Sequence, residues 1–314
     1  HIINVLRRVQ QYIRDHQLLS PHDKVLVCVS GGADSVALLD VLLRGGYECV
    51  VAHCNFNLRN QESDRDEQFV QQLVAQYNNT NPLTQIKLFI KHFDTRSYAT
   101  TNHISIEMAA RELRYNWFDE LASEHQCSAI AVAHHQNDQA ETLLLNLKRG
   151  TGLRGLAGMR PKSNGWRNDA DNTIINSHAP IIRPLLCTTR DYILHYLRDI
   201  RHIHWVEDST NTDTSYQRNA IRQQLTSYTK AEIEHIAQTA SRVQGYIDLI
   251  SGVDSQEAQM VQLYEELREY NFPEIEKMFY AQKRGEGGKI FYADHYTATL
   301  KKGQWIIQSR APKN

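Results

Sequence analysis

The chain has 314 residues, 41% of them hydrophobic, with a net charge of −1. That length holds two domains and a small third, and the apolar content supports a folded core rather than a disordered chain. The near-neutral charge does not by itself announce a nucleic-acid binder, no apolar run approaches a membrane span, and no signal peptide is visible.

In chain order, Ile3, Leu6, Val9, Tyr12 and Ile13 recur at helical spacing and predict an amphipathic helix over residues 3–19. Strand-like runs follow at 24–29, 49–53, 86–93 and 129–133. They alternate with helical patterns at 36–43, 64–77, 106–124 and 141–148. This alternation predicts an α/β fold with a doubly wound, mostly parallel sheet. Such sheets bind ligands beyond the carboxyl ends of their strands, where residues 30–35, 53–59 and 134–138 fall. Residues 160–178, rich in Asn, Asp, Ser and Gly, read as an exposed, mobile loop and an insertion. Residues 190–200 read as a helix capped by Thr188 or Thr189. A long polar-faced helix over 230–250 reads as a linker, and an acidic helical stretch covers 256–270. Short strands are predicted at 289–292, 298–301 and 304–308. The organisation expected is a catalytic domain over residues 1–215, then a helical linker and a small α+β substrate-binding region over 216–314.

Cys28, Cys49, Cys54, Cys127 and Cys187 form no Cys-x-x-Cys pair, and three lie in or beside predicted strands. Core packing in a reducing cytoplasm fits them. The chain starts at His1 rather than Met, so its natural start is expected to be altered.

The densest signal is residues 30–35, Ser30, Gly31, Gly32, Ala33, Asp34 and Ser35, between a predicted strand and a predicted helix. Unpaired amides at a helix start form an anion site, and two glycines let the backbone approach a phosphate closely. Ser30 and Ser35 add hydroxyl donors. A carboxylate beside a polyphosphate is repulsive unless a cation lies between, so Asp34 implies Mg²⁺. No Lys follows the glycines, so this is not a Walker loop. The bland alternative is a glycine turn capped by Asp34 or Ser35.

A second cluster runs from His134 through Glu141, at a strand end and a helix start. Asp138 and Glu141 stand at i and i+3, so their carboxylates can share a face and recognise an ammonium group or Mg²⁺. A helix cap, or a metal site of His134, His135 and Asp138, are the alternatives. On a further helix, Glu107, Arg111, Arg114 and Phe118 fall along one side. Beside a phosphate loop, Arg114 becomes a candidate for stabilising phosphate charge. Lys148, Arg149, Arg154, Arg160, Lys162 and Arg167 form a run without acidic residues that suits phosphates or merely a solvated loop. Residues 205–222, dense in polar groups around Trp205, suit a loop that orders on a partner.

The pattern Ser-Gly-Gly-x-Asp-Ser resembles the PP-loop of N-type ATP pyrophosphatases. The joint set of segments resembles the tRNA(Ile)-lysidine synthetase family. Besides the loop, it comprises His53 and Asn55 with Leu58 and Arg59, Arg111 with Arg114 and Tyr115, and His134 and His135 with Asp138, Glu141 and Thr142. Lys148 through Leu156, Arg183-Pro184-Leu185-Leu186, and Glu207-Asp208 through Arg218, Asn219 and Arg222 complete it.

The resemblance implies a PP-loop ATP pyrophosphatase fold and an enzyme acting on tRNA(Ile) with a CAU anticodon. ATP and Mg²⁺ adenylylate C2 of the wobble cytidine with release of pyrophosphate. Free L-lysine then displaces AMP to leave lysidine. It further implies ATP contacts from Ser30, Gly31, Gly32, Ala33, Asp34, Ser35 and His53, with Mg²⁺ on Asp34. Catalytic roles fall to Asp34, Arg114, His134, Asp138, Glu141 and Arg218. Asp138 and Glu141 would hold lysine, and Lys148, Arg149, Arg154, Arg218, Asn219 and Arg222 would contact tRNA. Asn137 departs from the family's paired aspartates, which puts the essential role on Asp138. The family's further C-terminal domain is expected to be missing. The oligomeric state is left open, a homodimer included. The competing readings are a tRNA thiolase of the same superfamily, which the scattered cysteines disfavour, and a non-catalytic ATP-dependent tRNA-binding module.

Overall fold

The computed structural model describes residues 4–58, 61–81, 85–167, 174–207, 216–267 and 270–309. It divides into two compact units. One is His1–Arg149 with Met159–Ala237, and the other is Gly150–Gly158 with Gln238–Asn314. No described helix is long and apolar enough to cross a membrane.

The first unit carries strands β1 (Lys24–Cys28), β2 (Glu48–Asn55), β3 (Lys87–His92), β4 (Ala129–Ala131), β5 (Lys162–Arg167) and β6 (Ile174–Ile182) in one sheet of order β3-β2-β1-β4-β6-β5. All neighbours are parallel except β5, which pairs antiparallel with β6. Its helices are α1 (Val5–Asp15), α2 (Ala33–Arg44), α3 (Gln61–Thr80), α4 (Thr95–Asn102), α5 (Ile106–Glu124) and α6 (Gln136–Arg149). The short helix α7 (Leu153–Leu156) falls in the second unit. The first unit continues with α8 (Arg190–His195), which passes into a π-helical stretch (Tyr196–Arg201), and with α9 (Tyr216–Leu225).

Alternation along the strands builds two cores. Val25 and Val27 of β1 join Val5, Val9 and Ile13 of α1 and the apolar side of α2 on one face. Leu26 joins Ile130, Phe118 and Leu121 on the other. Buried on both faces, β1 reads as an unbroken apolar run. The expected doubly wound sheet is therefore present. Residues 160–178 differ from expectation, because most of them are β5 and the start of β6, the last two strands of the sheet. Polar residues suit β5 as an edge strand, where they oppose pairing with another chain's strand.

Behind the glycine loop, α2 buries a carboxylate. Asp40 is fully buried and accepts hydrogen bonds from Tyr77 (2.8 Å), Tyr196 (2.5 Å) and both Nε and Nη2 of Arg201 (2.9 and 3.1 Å). One side chain thus ties α2 to α3 and to the π-helical stretch.

The second unit holds most of α10 (Lys230–Ile250), with α11 (Gln256–Glu266), α12 (Phe272–Lys283) and strands β7 (Ile290–Tyr292), β8 (Tyr296–Lys301) and β9 (Gln304–Ser309), an antiparallel sheet in that order. Gly245 lets α10 approach α11: a Cβ there would lie 2.5 Å from the Glu257 carbonyl oxygen. Asn271 and Glu274 form a capping box at the start of α12, whose Ile275, Met278 and Phe279 meet Tyr270 and Ala298 in a separate small core.

Candidate active site

β1 has β2 on one side and β4 on the other, so chain direction across the sheet reverses between β1 and β4. The carboxyl ends of the strands at such a reversal are the usual ligand position in these sheets. Two loops leave the sheet at this point, residues 29–33 after β1 and residues 132–135 after β4.

In the first loop, α2 begins at Ala33 with Gly32 as its cap, and no side chain caps it. The amides of its first turn are therefore offered outward with the positive end of the helix dipole. The Ser35 hydroxyl lies behind the loop. It accepts from the amides of Ser30 (3.2 Å) and Gly31 (3.3 Å) and donates to the Gly32 carbonyl (2.9 Å). Ser35 thus fixes the shape of the cradle, while Ser30 is the exposed hydroxyl. Gly31 has φ +101°, and a Cβ there would meet Phe69 Cδ1 at 3.4 Å. Its carbonyl also accepts from the Val206 amide at 2.9 Å. Gly31→Ala is expected to cost about 1–2 kcal/mol of stability through backbone strain alone. A chemical-denaturation midpoint equal to that of the unsubstituted protein would contradict this.

Asp34 sits in the first turn of α2. Its Oδ2 meets Arg190 Nη1 at 2.8 Å and His135 Nε2 at 3.5 Å. Its Oδ1 is buried and has no hydrogen-bond partner in the protein. Burial alone would raise the carboxyl pKa. The hydrogen bond and charge of His135, then Arg190 and His134, outweigh it and hold Asp34 below the usual carboxylate range. An ionised, buried oxygen without a protein partner fits a hard cation. Among the described residues no three His, Cys, Asp or Glu side chains gather as a ligand set, so Mg²⁺ here would take its remaining ligands from water and phosphate oxygens.

The second loop places both histidines past the end of β4. His135 is buried. Its amide donates to Asp138 Oδ2 (2.9 Å), and its Nδ1 lies 3.4 Å from the same oxygen. Burial would lower its pKa, but Asp138 and Asp34 raise it above the ordinary histidine value. His134 goes the other way. Burial, reinforced by Arg183, His135 and Arg111 against the pull of Asp138, pushes it down to about 4. His134 is therefore neutral near pH 7, and its Nδ1 is buried without a protein partner. The two neighbours are thus shifted in opposite directions, His135 upward between two carboxylates and His134 downward.

Asp138 and Glu141, expected on one helix face, have separate partners. Asp138 turns back to cap the loop at His135. Glu141, buried, accepts from Arg222 Nε of α9 at 2.7 Å. Asn137 is not a weakened aspartate, since its Oδ1 accepts from the backbone amide of Arg190 at 2.9 Å and fixes the start of α8. Arg190 itself was legible in no motif, because it reaches Asp34 across 156 positions of sequence.

His53 is buried at the end of β2. Its Nδ1 lies 2.8 Å from the Val29 carbonyl, which can only accept, so Nδ1 carries the proton and Nε2 is left as an acceptor. Burial lowers its pKa. The Arg114 guanidinium lies over the Phe56 ring at 5.1 Å, and Arg111 lies over Tyr115 at 5.2 Å. Arg183, missed as a site residue although its motif was noted, is buried with Nη1 on the Arg160 carbonyl (2.9 Å) and Ser163 Oγ (3.1 Å). Lys148 and Arg149 are exposed at the end of α6, and exposed Arg154 belongs to α7 in the other unit. Arg218 and Asn219 lie on α9, but their side chains are outside the described residues, as are Arg59 and Asp208. Beside Gly31, an open cleft of about 410 Å³ is lined by Arg65, Gln68, Phe69, Gln72, Trp205, Val206 and Glu207.

Residues 3–229 match the model of the PP-loop domain family. The tRNA(Ile)-lysidine synthase of Bacteroides thetaiotaomicron is 51% identical over 221 residues, 70% of this chain and 46% of that protein. The enzyme of that name from Porphyromonas gingivalis strain W83 is 49% identical over 224 residues, 71% and 44% of the two chains. That from Chlorobaculum tepidum is 38% identical over 245 residues, 74% and 67%. The match thus spans about half the length of the first two relatives. Among solved structures, the U34-tRNA thiolase NcsA from Methanococcus maripaludis with its 4Fe-4S cluster superposes with a TM-score of 0.56. It is 17% identical, covering 76% of this chain and 78% of that one, a likeness of fold alone.

Proposed function

We propose, on the premise that this chain belongs to the PP-loop domain family, that it uses ATP to join free L-lysine to C2 of the wobble cytidine of CAU-anticodon tRNA(Ile). The products are lysidine, AMP and pyrophosphate. The observation that carries this reading is the uncapped glycine loop at the carboxyl end of β1 beside Asp34, whose buried Oδ1 has no protein partner. The relatives named tRNA(Ile)-lysidine synthase supply the substrate.

In this reading the first-turn amides of α2 and Ser30 bind the β and γ phosphates, and Asp34 holds Mg²⁺. The ion supplies charge neutralisation on the polyphosphate. The C2 oxygen of cytosine attacks the α-phosphorus, and the P–O bond to the β-phosphate breaks with release of pyrophosphate. His134, neutral near pH 7, serves as a hydrogen-bonding group at the α-phosphate rather than as a cation. Arg114 offsets developing charge. The lysine amine then attacks C2, and the C2–O bond breaks to free AMP. Asp138 and Glu141 hold that amine, and Arg222 reaches the same carboxylate from α9, with Arg218 and Asn219 near the tRNA. Catalysis belongs in this reading to residues 1–215, with tRNA held by 216–314 together with Lys148, Arg149 and Arg154.

The thiolase alternative needs reactive thiols. Burial pushes Cys28 well up, and Cys49, Cys54 and Cys187 to about 12 and Cys127 to about 11. The test is incubation with CAU-anticodon tRNA(Ile), ATP, Mg²⁺ and labelled lysine. ATP-dependent incorporation into RNA with pyrophosphate release is the expected result. Neither signal, in folded protein that binds ATP, would favour a binding module.

Glu141→Gln keeps a hydrogen-bond acceptor for Arg222 but removes the charge. It should raise the KM for lysine by about 10- to 100-fold, the range of a lost charged hydrogen bond, with pyrophosphate release largely retained. Equal loss of both steps would count against the lysine pocket.

A further inference from the structure

The loop has no lysine after its glycines, so the side-chain cation that a Walker loop carries within itself must come from elsewhere in the fold. Arg190 lies where such a group would stand, with Nη1 2.8 Å from Asp34 Oδ2. We propose that Arg190 is the polyphosphate-binding cation of this loop, resting on Asp34 in the nucleotide-free protein and transferring to phosphate oxygens when the magnesium nucleotide enters. The inference rests on the ATP-using reading above.

Three observations support it. First, the two oxygens of Asp34 are unlike. Oδ2 carries Arg190, and Oδ1 is buried and unpartnered. A magnesium ion binds a carboxylate oxygen at about 2.0–2.1 Å, and a guanidinium left on the other oxygen would be a second cation close by. That arrangement is repulsive unless phosphate oxygens come between them, and a phosphate in that position is itself a better partner for the planar guanidinium fork. Second, the Arg190 backbone is anchored independently of its guanidinium, which rests on Asp34. Its amide donates to Asn137 Oδ1 at 2.9 Å, yet the side chain is 52% exposed. The guanidinium can therefore swing about a fixed Cα and stay beside the loop. Third, the anchor is neutral. Asn137 accepts from the Arg190 amide without adding a carboxylate next to Asp34 and Asp138, where an anion has to bind. This gives Asn137 a physical role at the position where the family pattern has an aspartate.

The test compares the unsubstituted protein, Arg190→Gln and Arg190→Lys in two equilibrium measurements: calorimetric binding of ATP with Mg²⁺, and binding of Mn²⁺ alone followed by electron paramagnetic resonance. Arg190→Gln should weaken ATP binding by at least about 10-fold, as loss of one charge-assisted contact does, and Arg190→Lys should restore part of it. Mn²⁺ binding without nucleotide should tighten in Arg190→Gln, since the competing cation is gone. The opposite signs of the two changes are the signature of a transferred cation. A strut that merely shaped the site would weaken both together, and that result overturns the proposal. ATP affinity in Arg190→Gln equal to that of the unsubstituted protein overturns it as well, and leaves the ATP-using reading intact. An unsubstituted protein that fails to bind ATP would remove both.

Discussion

Asp34→Asn is expected to reduce pyrophosphate release by at least about 1,000-fold, the scale of losing several kcal/mol of charge stabilisation in the transition state. The substitution is nearly isosteric, and Asp34 lies inside the first turn of α2 rather than at its cap, so no capping bond is lost. If Asp34 only capped or shaped α2, Asn would keep the function. If its charge holds a cation against the phosphates, Asn removes that charge and leaves Arg190 and His135 facing a neutral amide. The measurement is pyrophosphate release with CAU-anticodon tRNA, beside a thermal melt to show that the fold persists. Activity within about threefold of the unsubstituted protein would leave less than about 1 kcal/mol for the charge and would refute the assignment.

Asp40→Ala should destabilise the protein by about 3 kcal/mol, the low end for removing one partner of a buried charge network. Asp40 is fully buried and accepts four hydrogen bonds from three side chains. Without it, the Tyr77 and Tyr196 hydroxyls lose their shared acceptor and the Arg201 guanidinium loses its only described counter-charge within hydrogen-bond distance. Arg201 is partly exposed, so water can recover some of its solvation, which is why the low end of the range applies. In the unsubstituted protein the carboxylate, with burial acting first, holds both tyrosine hydroxyls protonated far above neutral pH. A melting temperature lowered by roughly 6–12 °C is the expected reading for a unit of this size. Asp40→Asn, which keeps an acceptor, should fall between. An unchanged melting temperature for Asp40→Ala would show that the network contributes no net stability.

Much of the fold was legible in the chain. The runs around Leu26, Val50 and Ile130 are apolar without alternation, as strands covered on both faces must be, and the helical spacing of Leu6, Val9, Tyr12 and Ile13 marked a helix that the structure places over Val5–Asp15, with Val5, Val9 and Ile13 buried. The loop at residues 30–35 was legible because its chemistry is local: the amides, the glycine at positive φ and Asp34 lie within one turn of chain. The edge strand β5 was read as a loop because its composition is polar, as edge strands tolerate, and pairing with β6 decides its conformation.

The partners of the site side chains were not legible. Asp138 and Glu141 share a helix spacing, which says that they can meet, but Arg222 claims one and the His135 amide the other. Arg190 has no motif of its own, and nothing in the sequence showed that Asn137 Oδ1 accepts from the Arg190 amide. The sequence alone determined the parallel sheet and the glycine loop between a strand and a helix, because hydrophobic periodicity and turn chemistry act over a few residues. Only the tertiary structure decided that Arg190 lies against Asp34 and that Arg222 already pairs with Glu141. Those properties depend on distances of about 3 Å, the reach of a hydrogen bond, between groups that the chain keeps far apart and only the packed sheet brings together.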